Sequence, residues 1–176
     1  MRCARYCIHT IRMFMICSEN EGVMNIAELE RTIVAAKAAS YVGGGGKAEP
    51  SRPGSHDLTW SNGEWFYRDS YFGGTDFLGQ ETLWHRGEPV WAMNYYGYIL
   101  RPDLIDAVRA GATIKAALSV MYAEGRFLGG FDWNGPHDRY CDRSTGDAAH
   151  FHGRETILIG DVEVYALDYF GGLIRP

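Results

Sequence analysis

The amino-acid sequence predicts an α+β fold. It reads as two copies of a helix plus a four-stranded antiparallel β unit, joined in a single pseudo-twofold domain. Three observations carry this. Residues 77–102 align without a gap on residues 151–176, and ten of the 26 aligned positions are identical, among them Glu81/Glu155, Tyr95/Tyr169 and Gly97/Gly171. Asn62-Gly63, Arg86-Gly87, Asn134-Gly135 and Gly160-Asp161 sit between runs rich in aromatic and β-branched residues, as hairpin turns do. Two stretches of helical period precede the two strand-rich halves.

The first helix is expected over about 26–39. Asn25 stands at its N-cap and Glu28 at N3, a variant of the capping box, with Ile26, Leu29, Ile33 and Ala36 as the apolar stripe. Gly43 to Gly46 ends it, and a Pro- and Gly-bearing loop leads to the first strands. Along 64–72 aromatics fall on both alternating sets, so both faces of that strand are expected to be covered. A hairpin over 77–100 follows. The second helix is expected to open at Pro102-Asp103, because proline suits a first turn and aspartate complements the helix dipole there. Gly125 closes it. Strands return over 127–133, 139–143, 155–159 and 162–170. A weaker correspondence upstream, Tyr67-x-Asp69 with Tyr140-x-Asp142, extends the repeat units to 57–102 and 130–176.

Residues 1–23 differ in character, with three cysteines, three arginines and three methionines and no clean period. We read them as an N-terminal extension preceding a natural start at Met24, and residues 24–176 as the domain. Their apolar stretch is interrupted by His9 and Arg12 and is too short to span a membrane. A reduced, cytoplasmic protein is expected from the absence of a paired cysteine framework.

Composition narrows the function. The chain is 46% hydrophobic and 22% charged, which is globular, and its net charge of −5 with no Lys/Arg run gives no nucleic-acid footprint. Phosphate loops, dinucleotide fingerprints, serine elbows and zinc-protease motifs do not occur in it. No cofactor or metal is expected; the His150-x-His152 pair reads as surface.

Two polar-aromatic blocks remain. In 51–58 and 67–77, His56, Asp57, Asp69 and Asp76 are candidate acid–base groups, and Arg52 and Arg68 are candidate anion forks beside Tyr71 and Gly73-Gly74. In the repeated segments, Glu81 and Glu155 lie inside strands, where a carboxylate needs solvent or a partner. Tyr95, Tyr169, Asn94 and His152 complete the expected ligand-binding set.

The stretches Ser51–Leu58, Tyr67–Phe77, Trp91–Gly97 and Phe151–Glu155 resemble a bacterial domain family of unknown function. Some of its members follow a helix-turn-helix regulator domain, so the resemblance implies an effector-sensing role. The expected function is accordingly the binding of a small polar or aromatic molecule in a cleft between the two repeats. A small hydrolase or isomerase using His56 with nearby carboxylates is one alternative. A homodimeric interaction module is the other.

Overall fold

The computed structural model describes residues 24–175; the expected extension 1–23 lies outside the described residues. Helix α1 spans Ile26–Lys37 and is capped as expected, the Asn25 side chain accepting from the backbone N–H of Ala27 and Glu28. A π-helical turn, Ala38–Val42, continues it, closed by the Gly43 N–H donating to the Ala38 carbonyl at 2.8 Å. Helix α2 spans Ala107–Ala123. It does not open at Pro102-Asp103. Residues 101–105 form a separate turn, and the Asp106 carboxylate caps the helix by accepting from Arg109 N–H at 2.8 Å.

The strands are β1 (Lys47–Ala48), β2 (His56–Asn62), β3 (Trp65–Gly73), β4 (Phe77–His85), β5 (Glu88–Ile99), β6 (Phe131–Asn134), β7 (Arg139–Asp147), β8 (His150–Ile159) and β9 (Val162–Leu173). They form one nine-stranded sheet in the order β1-β2-β3-β4-β5-β9-β8-β7-β6, antiparallel throughout.

This overturns the expected fold class. The chain does not build two helix-plus-four-strand units with a cleft between them. Strands β5 and β9 hydrogen-bond directly to each other from Trp91↔Leu173 to Ile99↔Tyr165, so the sheet is continuous. The reason lies in the backbone. A unit ending in β5 or β9 would expose a long row of unpaired N–H and C=O groups, and pairing the two edges removes that cost. The helices do not divide between halves either. Both pack with one face of the sheet in a single core in which Leu29 and Ile33 of α1 and Ile114 and Leu118 of α2 join Tyr67, Leu83, Trp91 and Tyr165.

The two long hairpins match in detail. Each carries a register shift, at Leu83/Trp84 and at Ile157/Leu158, and Tyr95 lies directly opposite Tyr169 across the seam. Below the seam Trp91 is fully buried, stacked on Phe151 at 5.8 Å and edge-on to Phe127 at 5.9 Å. Such pairs add about 0.5–1.5 kcal/mol each beyond their buried area. The opposite face of the sheet carries exposed Leu78, Tyr96 and Phe170.

Candidate functional site

Between the helices and the sheet lies a cavity of about 440 Å³, lined by α1, the π-turn, α2 and strands β2–β5, β8 and β9. Its wall is largely aromatic. Tyr41, Tyr71, Phe77, Tyr122 and Tyr165 surround a floor that carries the carboxyls of Asp69, Glu81 and Glu155.

Strand parity places these groups. Side chains two apart share a face, so Tyr67, Asp69 and Tyr71 of β3 all reach the cavity, and His56 joins them because it pairs with Tyr71. His56 stands at the rim, its ring 5.2 Å from that of Tyr71. Its neighbour Asp57 necessarily points to the other face.

One cation enters from above. Lys37 ends α1 and is buried, donating from Nζ to Glu81 Oε1 at 2.6 Å, with both side chains 8% exposed. The other Glu81 oxygen, Oε2, is buried without a hydrogen-bond partner, as is Oε2 of Glu155.

Two tyrosine–aspartate pairs are built by the same device. The Tyr95 ring crosses Gly79 of the adjacent strand and its hydroxyl donates to Asp69 on the strand beyond, at 2.6 Å. Tyr169 crosses Gly153 and donates to Asp142 at 2.6 Å. Glycine is required under each ring: a Cβ at Gly79 would stand 2.3 Å from the Tyr95 hydroxyl oxygen, and one at Gly153 would stand 2.2 Å from the Tyr169 ring. Asp142, Tyr169 and Tyr140 line a small side pocket that shares Lys37, Met93, Leu118, Tyr122 and Glu155 with the main cavity.

Burial governs the protonation of these carboxyls. Asp69 is pushed up to about 7, first by desolvation and then by the Glu81 charge, against the Tyr95 hydrogen bond and Lys37. Glu155 is pushed up to about 8, first by desolvation and then by Asp142, against Tyr140 and Lys37. Desolvation also raises Asp142. Glu155 is only half-buried by surface exposure. It lines both the cavity and the side pocket.

The sign of the pH dependence follows. Each raised group binds its proton more tightly when folded than when unfolded, so between the unfolded value near 4 and the folded value near 8 the native state holds more protons. Stability is therefore fullest at the acid end of that window and falls as pH rises through it. We expect the melting temperature to decline across this range. Glu155→Gln, which holds the group neutral, should remove a large part of the decline, on the order of 1–3 kcal/mol. An unchanged slope in thermal denaturation of that variant would contradict the assignment.

Of the residues expected from sequence, His56, Asp69, Tyr71, Glu81, Tyr95 and Glu155 meet in the cavity. Tyr169 reaches the side pocket. The others do not converge there. Asp57 is buried on the opposite sheet face, accepting from Ser55 and Ser70 hydroxyls at 2.6 and 2.9 Å. Burial alone would raise its pKa, but the surrounding serine hydroxyls outweigh it and hold the group low. Arg52 bonds to Ser70 on that face at 2.8 Å and stacks on Phe72, and Arg68 lies 3.4 Å from Asp57. Asp76 accepts the Ile99 N–H at a strand end. Asn94 bonds Gln80, and His152 faces Thr145, both on the exposed face.

Sequence reasoning missed Lys37 and Asp142. Lys37 follows Ile33 by four residues and so falls on the buried stripe of α1. Asp142 was visible in the correspondence of Tyr140-x-Asp142 with Tyr67-x-Asp69.

The model of a family described as a domain of unknown function, DUF5680, matches residues 69–174. The chain belongs to this family. The DUF5680 segment runs from Asp69 to the end of the sheet and supplies the carboxyls of Asp69, Glu81, Asp142 and Glu155 and both crossing tyrosines. Lys37 and His56 precede the match, so the cavity's lysine among the described residues comes from outside the DUF5680 segment. No curated protein and no solved structure matches the chain. Among the described residues, no helix is long and apolar enough to cross a membrane, and no three His, Cys, Asp or Glu side chains are grouped to hold a metal ion.

Proposed function

We propose that this protein binds a small organic molecule in the cavity between α2 and the sheet. The observation that carries the reading is the pairing of a 440 Å³ aromatic-walled space with buried carboxyl oxygens that have no protein partner. Ligand sites have this form, mostly apolar with a few fixed polar groups. An unpaired buried polar atom costs about 1–3 kcal/mol, and two residues that carry such atoms, Glu81 and Glu155, both line this cavity. A ligand that hydrogen-bonds to these carboxyls offsets that cost.

Binding is favoured over turnover. His56, Asp57, Asp69 and Asp76 are spread over the rim, the opposite sheet face, the floor and a strand end. Among the described residues no hydrogen bond joins His56 to a carboxylate, so the dyad expected of a hydrolase or isomerase has no support.

The test is a thermal-shift screen of small metabolites repeated on Gly111→Phe. Gly111 lines the cavity from α2, and a Cβ there would meet nothing within 4 Å. Replacing a mid-helix glycine also favours the helix. We expect a ligand that raises the melting temperature of the parent protein to lose its effect on Gly111→Phe, which itself stays folded. A shift that survives the substitution places binding elsewhere.

A further inference from the structure

The cavity's charge is asymmetric. Among the described residues Lys37 is the only lysine or arginine that lines it, and its short hydrogen bond is already committed to Glu81. Against it stand Asp69, Glu81 and Glu155. Glu81 is 6% exposed, lines the cavity, and still has Oε2 unpartnered. The described residues do not group these acids for a metal ion. The wall around them is tyrosine, whose ring faces attract cations. Lys37 offsets Glu81, so the imbalance arises as Asp69 and Glu155 ionise, above about 7 and 8; an anion would then meet three carboxylates, and a neutral molecule would leave two of them uncompensated.

Building on the binding reading above, we propose that the ligand is an organic cation, an aliphatic or aryl-alkyl ammonium whose charge sits among Asp69, Glu81 and Glu155 and whose body lies along the tyrosine wall. The ammonium N–H groups donate to the carboxyls that line the cavity. Binding is then linked to proton release. In the empty cavity Asp69 and Glu155 hold their protons up to about 7 and 8, and the incoming cation favours their ionised forms. Glu155 is faced by Asp142 and Tyr140 from β7, Lys37 from α1 and Glu81 from β4. The hydroxyls of Tyr122 and Tyr165 stay protonated, each raised first by burial.

Three probes of one shape and different charge test this: 2-phenylethylamine, 2-phenylethanol and phenylacetate. Calorimetry would be run at alkaline and mildly acidic pH, in two buffers of different ionisation enthalpy, on the full chain and on Glu155→Gln. The amine should bind at least roughly tenfold more tightly than the alcohol at alkaline pH, release protons, and weaken on acidification. Phenylacetate should not bind. Glu155→Gln should lose most of the affinity and the pH dependence while melting no lower than the parent protein.

Equal binding of alcohol and amine, or full amine affinity in Glu155→Gln, overturns the proposal. If that binding is abolished by Gly111→Phe, the cavity remains a binding site and only its charge preference falls. If none of the three probes binds at millimolar concentration, both the cation preference and the binding reading are rejected.

Discussion

Replacing Lys37 by methionine should destabilise the protein by about 3–5 kcal/mol, the range found when one partner of a buried ion pair is removed. Lys37 and Glu81 are each 8% exposed and 2.6 Å apart. Without the ammonium, Glu81 is left as an uncompensated buried acid beside Asp69, whose own titration is already raised by the Glu81 charge. The result is diagnostic only with its partner. Lys37→Met combined with Glu81→Gln replaces the pair by two neutral side chains of similar volume, which can be close to neutral. Urea denaturation should therefore show a large loss in the single variant and recovery of most of it in the double. Equal losses in both would mean that Lys37 matters for packing and not for charge.

Gly79→Ala should be the next most damaging single change. The new Cβ would stand 2.3 Å from the Tyr95 hydroxyl oxygen and 2.7 Å from the Cβ of Tyr71. The backbone on both sides is paired in the sheet, so the ring must move. Overpacking of this kind costs about 1–3 kcal/mol. Displacing the ring also breaks the hydrogen bond to Asp69, and a buried bond to an ionisable group contributes about 1.5–3 kcal/mol. We expect a total loss near 3 kcal/mol or more in chemical denaturation, and a further rise in the pH at which Asp69 titrates. Gly79→Ala with Tyr95→Leu should relieve the clash but not restore the hydrogen bond, so it should recover only part of the loss. A Gly79→Ala protein as stable as the parent would show that the ring does not lie over this strand.

Much of the secondary structure was legible in the sequence because its signals are local. Asn25 as a cap, Asn62-Gly63 as a turn and the alternation of β3 are decided by neighbours a few residues apart. The gathering of Glu81, Glu155 and Tyr95 was legible too, since a carboxylate within a strand has few tolerable surroundings. What was not legible was decided between distant segments. The matching hairpins read as two units because similarity in sequence does not reveal whether their edges pair. The joining of β5 to β9 depends on both edges being unpaired elsewhere. His56 was a candidate acid–base group with Asp57, Asp69 or Asp76, and strand parity sends it and its neighbour Asp57 to opposite faces. Lys37 stands in the last turn of α1, where the helix dipole favours a cation, and nothing near it in sequence marks it for burial. Only the presence of Glu81 beneath makes its burial tolerable.

The seam between β5 and β9 has a consequence for biosynthesis. Strand β5 emerges from the ribosome long before β9, its partner from Trp91↔Leu173 to Ile99↔Tyr165. The hairpins β2–β3 and β4–β5 close locally, but until β9 arrives the nascent chain carries one of its two longest strands as an open, aromatic-rich edge. Such an edge pairs readily with another chain. Closure of the seam is a contact of high sequence separation, whose loop-closure entropy must be met before the pairing stabilises the sheet.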